Sequence, residues 1–147
     1  KKILPKILKK IPSIEFHIVG DIRKIDKFRL KFCSNVKVYG QKKILKNHIK
    51  GSICGLANLK IASGVQGKVL TYMSYGLPAL CSKNIVSNFS NNVISYKNNN
   101  EMIKNIINLK ENKNKSLLYS KKSILFLKNL QWKKVRLQYL KNIKSNK

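Results

Sequence analysis

Five short apolar stretches alternate along this chain with segments whose apolar residues recur at helical spacing, and only short connections separate them. That alternation constrains the fold most, because a strand feeding a helix feeding a parallel strand can pack in only a few ways. Ile3, Leu4, Ile7, Leu8 and Ile11 form a first helical face, with Pro5 tolerable near the helix start and Pro12-Ser13 as its stop. Ile14–Val19 reads as a strand ending at the turn pair Gly20-Asp21. A short helix follows, with Ile22, Ile25, Phe28 and Phe32 predicted inward, and then a strand at Val36–Tyr39 closed by Gly40. After a short helix over Ile44–Ile49, the apolar run Ser52–Leu59 suits a strand buried on both faces, as parallel sheets require.

The second half repeats the pattern. Beyond a loop at Lys60–Val65, a helix is expected from Gln66 to Tyr75, with Gly76 as its C-terminal stop and Pro78 just past it. Leu77–Cys81 and Val93–Tyr96 are the remaining strands, and the Asn-rich stretches Ser87–Asn92 and Asn98–Asn100 read as loop. Asn98 and Glu101 have the spacing of a capping box and open a helix that buries Met102, Ile103, Ile106 and Ile107. Two amphipathic helices close the chain. The first carries Leu117, Leu118, Ile124 and Leu125, with its apolar face ending at Leu127. The second carries Trp132, Val135, Tyr139, Leu140 and Ile143. The expected architecture is therefore α/β: a single Rossmann-like domain over 1–147, its parallel sheet covered by helices on both faces.

Charge needs dissection before it is read as function. The net charge is +27, but 29 of the 32 basic residues are Lys, and Lys, Asn and Ile are the residues of A/T-rich codons. Residues 1–50 carry +12, residues 51–96 only +3 and residues 97–147 again +12. A nucleic-acid binder concentrates charge, with Arg and aromatics, on its working element. Here lysines fall between apolar positions of helical segments, so they read as solvated faces and no specific nucleic acid is expected. No apolar run approaches the ~20 residues that span a bilayer, and the first residues lack the apolar core of a secretory signal. Cys33, Cys54 and Cys81 are widely spaced and odd in number, which argues for a reducing compartment and against a zinc site.

Ligands of open parallel sheets bind at the carboxyl ends of the strands. Three loops qualify: Gly20-Asp21, Gly40-Gln41 and the stretch Lys60–Lys68. In the last, Gly64 and Gly67 permit close backbone approach, and a helix start supplies free N–H groups and a positive dipole end for phosphate, with Lys68 in the first turn. The same residues also fit a glycine-rich helix start with a solvated lysine. The spacing is not that of a P-loop. His17, in a strand, and His48, in a short helix, are weak candidates for chemistry; Cys54 and Cys81 read as core thiols, and no carboxylate pair is present.

The segment Ser63-Gly64-Val65-Gln66-Gly67-Lys68-Val69-Leu70-Thr71-Tyr72-Met73-Ser74-Tyr75-Gly76-Leu77-Pro78 and the strand after it resemble the nucleotide-sugar signature of family 4-type, GT-B-fold glycosyltransferases. Ile11–Gly20, Asn35–Gly40 and the late Gln131-Trp132 with Tyr139 resemble flanking parts of that family in the same order. The resemblance implies a retaining transfer of a sugar from a nucleotide-diphosphate donor to a glycan or lipid-linked acceptor of the cell envelope, without metal or cofactor. It implies that Gly64, Val65, Gln66 and Gly67 lie along the donor sugar and diphosphate with Lys68 nearby, and that Gly40 and Gln41 border the nucleobase. The family's two glutamates are replaced by Ser63 and Thr71, and Thr71 is either a weaker ribose contact or only a helix residue. It covers the C-terminal, donor-binding domain alone, so an N-terminally truncated fragment, inactive by itself, is expected, with the partner N-terminal domain absent. A cytoplasmic location with peripheral contact to the anionic inner face of the membrane accompanies this reading. The alternatives are a sugar-nucleotide epimerase of the same fold and a non-catalytic basic module for acidic lipid or nucleic acid.

Overall fold

The computed structural model describes residues 3–59 and 66–130, and in them helices and short parallel strands alternate as the periodicity requires. The order is α1 (Leu4–Leu8), β1 (Phe16–Ile18), α2 (Lys24–Lys31), β2 (Val36–Val38), α3 (Lys46–Ile49), β3 (Gly55–Ala57), α4 (Gly67–Ser74), β4 (Ala79–Ser82), β5 (Ile94–Tyr96), α5 (Asn99–Glu111) and α6 (Lys113–Asn129). The expected closing helix with Trp132, Val135, Tyr139, Leu140 and Ile143 lies outside the described residues, as does the loop 60–65.

The chain divides into two compact units, Lys1–Ser52 and Ile53–Lys147. In the first, β1 and β2 pair in parallel with Phe16 opposite Val36 and Ile18 opposite Val38. The helix α2 leans on β2 but leaves an open groove lined by Phe28, Leu30, Val36 and Val38, with Lys24 and Lys27 at its rim. Here the predicted inward face fails: Ile25, Phe28 and Phe32 are 55%, 65% and 76% exposed. A two-stranded sheet offers too narrow an apolar surface to cover a whole helix, so the two rings pack edge-to-face on each other, centroids 5.4 Å apart.

In the second unit β3, β4 and β5 form a parallel sheet in that order, with Leu56, Leu80 and Ile94 in register across one face. On the other face Ala57, Ala79 and Cys81 pack with Val69 and Met73 of α4 and with Ile85, Phe89 and Val93. Of the stretches predicted as Asn-rich loop, Ser87–Asn92 lies instead in two 3-10 turns, Lys83–Asn88 and Ser90–Asn92, and Asn99 and Asn100 begin α5 behind the cap Asn98. The two turns bury Ile85 and Phe89 completely, because two apolar residues four apart can turn inward between asparagines that face water.

Helix ends follow the local chemistry. At the end of α4 the N–H of Gly76 donates to the Met73 carbonyl (2.9 Å) and the N–H of Leu77 to the Tyr72 carbonyl (3.0 Å), a Schellman motif with Gly76 at φ +67°. At the start of α5 the Asn98 side chain accepts from the Glu101 N–H (3.0 Å), while the Glu101 carboxylate accepts from the Lys97 N–H (2.7 Å). Asn112 ends α5 and caps α6 at once, accepting from the Lys115 N–H at 2.9 Å. Within α5 the buried side chains are Met102, Ile103, Ile106 and Leu109, with Ile107 only half-buried.

The apolar face expected for α6 is turned the other way. Leu117, Leu118, Ile124 and Leu125 are 45–61% exposed, and the side against α4 and α5 carries Ser116, Ser120, Ser123, Phe126 and Leu127. Small serines let α6 approach closely, and the buried Ser123 hydroxyl donates to the Leu77 carbonyl at 3.4 Å. Truncating Phe89 to Ala should therefore cost about 3–5 kcal/mol of stability in urea denaturation. Phe32→Ala should change it by no more than about 0.5 kcal/mol.

Candidate functional site

The helix α4 is held against the sheet by its inward residues. Val69 and Met73 are fully buried, and the Tyr72 ring lies over Gly55, where an added Cβ would collide with it. The Tyr72 hydroxyl donates to the Leu56 carbonyl at 3.2 Å, tying α4 to β3. At the carboxyl end of the sheet, the Ser82 hydroxyl donates to the Leu59 carbonyl (2.7 Å) and accepts from the Leu59 N–H (3.2 Å). One side chain of β4 thus fixes the chain as it leaves β3. Sequence reading missed Ser82; a lone serine closing an apolar strand was the only available signal.

Of the predicted site residues, Ser63, Gly64 and Val65 lie outside the described residues. Gln66, Gly67, Lys68 and Thr71 are brought together in the first turns of α4. Gln66 is the N-cap, its carbonyl accepting from the N–H groups of Val69 (2.9 Å) and Leu70 (3.2 Å). The N–H groups of Gly67 and Lys68 belong to the first turn, which has no intrahelical acceptor. Both residues are exposed, and among the described residues a Cβ at Gly67 would meet nothing within 4 Å. No described residue therefore demands a glycine there. The Thr71 hydroxyl donates to the Gly67 carbonyl at 2.9 Å, so its proton is committed inside the helix and only its lone pairs face outward. No acidic residue occurs anywhere between 51 and 96, which leaves the positive end of the α4 dipole without a competing carboxylate on this stretch.

Gly40 and Gln41 belong to the first unit, at the carboxyl end of β2. The Gly40 carbonyl accepts from the Gly20 N–H at 2.8 Å, joining the ends of β1 and β2, and Gly40 sits at φ +66°, a left-handed conformation that favours glycine. Gln41 is exposed. Beside them Tyr39 packs between His17 (5.3 Å between centroids) and His48 (4.3 Å). Glu15 accepts from Lys37 at 2.7 Å and pairs with the His17 ring at 2.9 Å. The Lys37 ammonium, with His17 second, holds the Glu15 carboxyl below its ordinary range, and Glu15 in turn raises Lys37. The two histidines are thus ring-packing partners of Tyr39.

Burial pushes the Cys54 and Cys81 thiols up to about 12, so both are protonated and inert near neutrality. Tyr96, at the carboxyl end of β5, has a buried hydroxyl without a partner among the described residues, and burial raises it to about 12 as well. Among the described residues no three His, Cys, Asp or Glu side chains converge on a point that could hold a metal ion.

Parallel strands with flanking helices and a helix start at the carboxyl edge of the sheet define a Rossmann-type α/β fold. Among solved structures, the crystal structure of TarM, a glycosyltransferase, matches this chain with a TM-score of 0.71 at 18% identity. The match covers 96% of this chain and 30% of TarM, so the chain spans less than a third of that protein's length. No protein-family model matches the chain, and no curated protein sequence matches it. Among the described residues no helix is long and apolar enough to cross a membrane.

The thiol chemistry gives a direct check. A raised pKa keeps a thiol protonated until the pH approaches that value, so at pH 8 iodoacetamide should alkylate Cys33 well ahead of Cys54 and Cys81. All three should react once the chain is unfolded, as mass spectrometry of the labelled protein would show.

Proposed function

We propose that this chain is the donor-binding part of a glycosyltransferase, which transfers a sugar with retention from a nucleotide-diphosphate donor to a glycan or lipid-linked acceptor of the cell envelope. The observation that carries the reading is the start of α4: two first-turn N–H groups, on the exposed residues Gly67 and Lys68, the first a glycine that no described residue packs against. When the bond between the sugar and the diphosphate breaks, negative charge develops on the departing phosphate. Fixed donors aimed at that charge lower the barrier most where they need no reorganisation. The α4 terminus supplies the equivalent of about +0.5 charge, and Lys68 adds a full positive charge one residue further on.

In this reading Gly64, Val65, Gln66 and Gly67 run along the donor sugar and diphosphate, Ser63 stands where the sugar is approached, and Lys68 contacts phosphate. Thr71 contributes at most a lone pair to a ribose hydroxyl, because its own proton is bound to the Gly67 carbonyl. Support for Gly40 and Gln41 at the nucleobase is the sequence resemblance alone. Neutralisation comes from backbone and Lys68, with no metal or cofactor assigned a role.

Lys68→Ala should weaken binding of a nucleoside diphosphate by about 1.5–3 kcal/mol, the range for hydrogen bonds to charged groups, and leave binding of the uncharged nucleoside unchanged. In NMR titrations the diphosphate should shift the amides of Gly64 to Lys68 before those of the C-terminal helices. Equal loss for both ligands, or shifts confined to residues 115–147, would overturn the assignment.

A further inference from the structure

The outward face of α6 is built unlike the other exposed surfaces of its unit. Leu117, Leu118, Ile124 and Leu125 are 55%, 50%, 45% and 61% exposed, while the serines of the same helix are turned inward. Exposed Lys121 and Lys128 fall on the same stripe, at helical spacings of three and four from the nearest apolar residues. The helix is 17 residues long, about 25 Å, and contains five lysines and no Asp or Glu. Lys122 is turned aside, donating to the Asn91 carbonyl at 3.3 Å and lying over the Tyr119 ring. Lys121 and Lys128 make no ion pair among the described residues.

Contiguous exposed aliphatic side chains mark an interaction surface, and the chemistry here discriminates between partners. Protein interfaces are enriched in aromatic residues and Arg and depleted in Lys. A nucleic acid offers phosphates to lysines but nothing to a row of Leu and Ile. Leucines interleaved with lysines, on a helix too polar to span a bilayer, match a surface that lies in the lipid headgroup layer. We propose that the Leu117–Lys128 face of α6 docks this protein on an anionic lipid bilayer. Leu117, Leu118 and Leu125 enter the acyl boundary, with Ile124, whose terminal methyl lies against Gly76, at its edge, while Lys121 and Lys128 stay level with the anionic headgroups. This inference is independent of the donor-site reading, since it rests only on α6.

The test is co-sedimentation of the full 147-residue chain with vesicles of equal parts phosphatidylglycerol and phosphatidylcholine, and with phosphatidylcholine alone. The chain should bind the anionic vesicles. Leu117→Ser/Leu125→Ser should lower the partition coefficient about tenfold or more. Lys121→Gln/Lys128→Gln should lower it by about fivefold for each lysine. Lys104→Gln/Lys110→Gln, on α5, should change it less than about twofold, because those lysines lie off the docking face. The leucine variant should keep the wild-type melting temperature.

Three results would overturn the proposal. Undiminished vesicle binding by the leucine variant, with all binding abolished by salt, would reduce the contact to net-charge attraction. A clear fall in its melting temperature would show that the chain itself covers this face. Conversion of a dimer to a monomer by the same substitutions, with vesicle binding intact, would assign the face to a protein contact.

Discussion

The absence of a side chain at Gly55 is what the second unit depends on. Because β3 presents only backbone there, the Tyr72 ring can lie directly on the strand and its hydroxyl can reach the Leu56 carbonyl at 3.2 Å. That contact sets how closely α4 approaches the sheet, and Val69 and Met73 fill the remaining space. The start of α4 is then carried to the carboxyl edge, where Ser82 already holds Leu59 from the neighbouring strand. One missing methyl group in the core thus governs where two first-turn amides sit. Burying the Tyr72 ring also raises its hydroxyl's pKa, burial acting first and the neighbouring thiols second.

How much of this was legible depended on whether an element is decided locally or by its neighbours. The Schellman motif at Gly76 and the Asn98–Glu101 cap were readable because both are settled within six residues by hydrogen-bonding geometry. Strand existence was readable from short apolar runs bounded by turn residues, and parallel pairing followed from the alternation with helices. The inward faces of α2 and α6 were misread, because periodicity tells which residues share a face and nothing about which face meets the sheet. In α6 two stripes competed, one of Leu and Ile and one of serines with Phe126 and Leu127. Close packing against α4 selected the serine stripe. Phe89 was invisible amid asparagines, since a single aromatic has no period.

The candidate site was legible to a different degree. Gly67 and Lys68 stood out as a helix start after a buried strand, whereas the internal hydrogen bond that occupies the Thr71 proton is a matter of rotamer that no spacing reveals. The charge distribution, with its weakly charged middle, separates the stretch carrying α4 from the lysine-laden helices. A phosphate approaching α4 meets a fixed, local field; the lysines elsewhere offer a diffuse and salt-screened one.

The parallel register of the three-stranded sheet also has a history in time. Gly55 pairs with Ala79, 24 positions later, and Leu80 with Ile94, 14 positions later. During synthesis at ~5–20 residues per second, β3 therefore waits roughly 1–5 s for its first partner. Throughout that interval its open backbone edge and its apolar run are available to any other nascent chain. Lys50 and Lys60 bracket the run, and their charge is the kind that keeps an unpaired strand apart from its neighbours until the sheet can close.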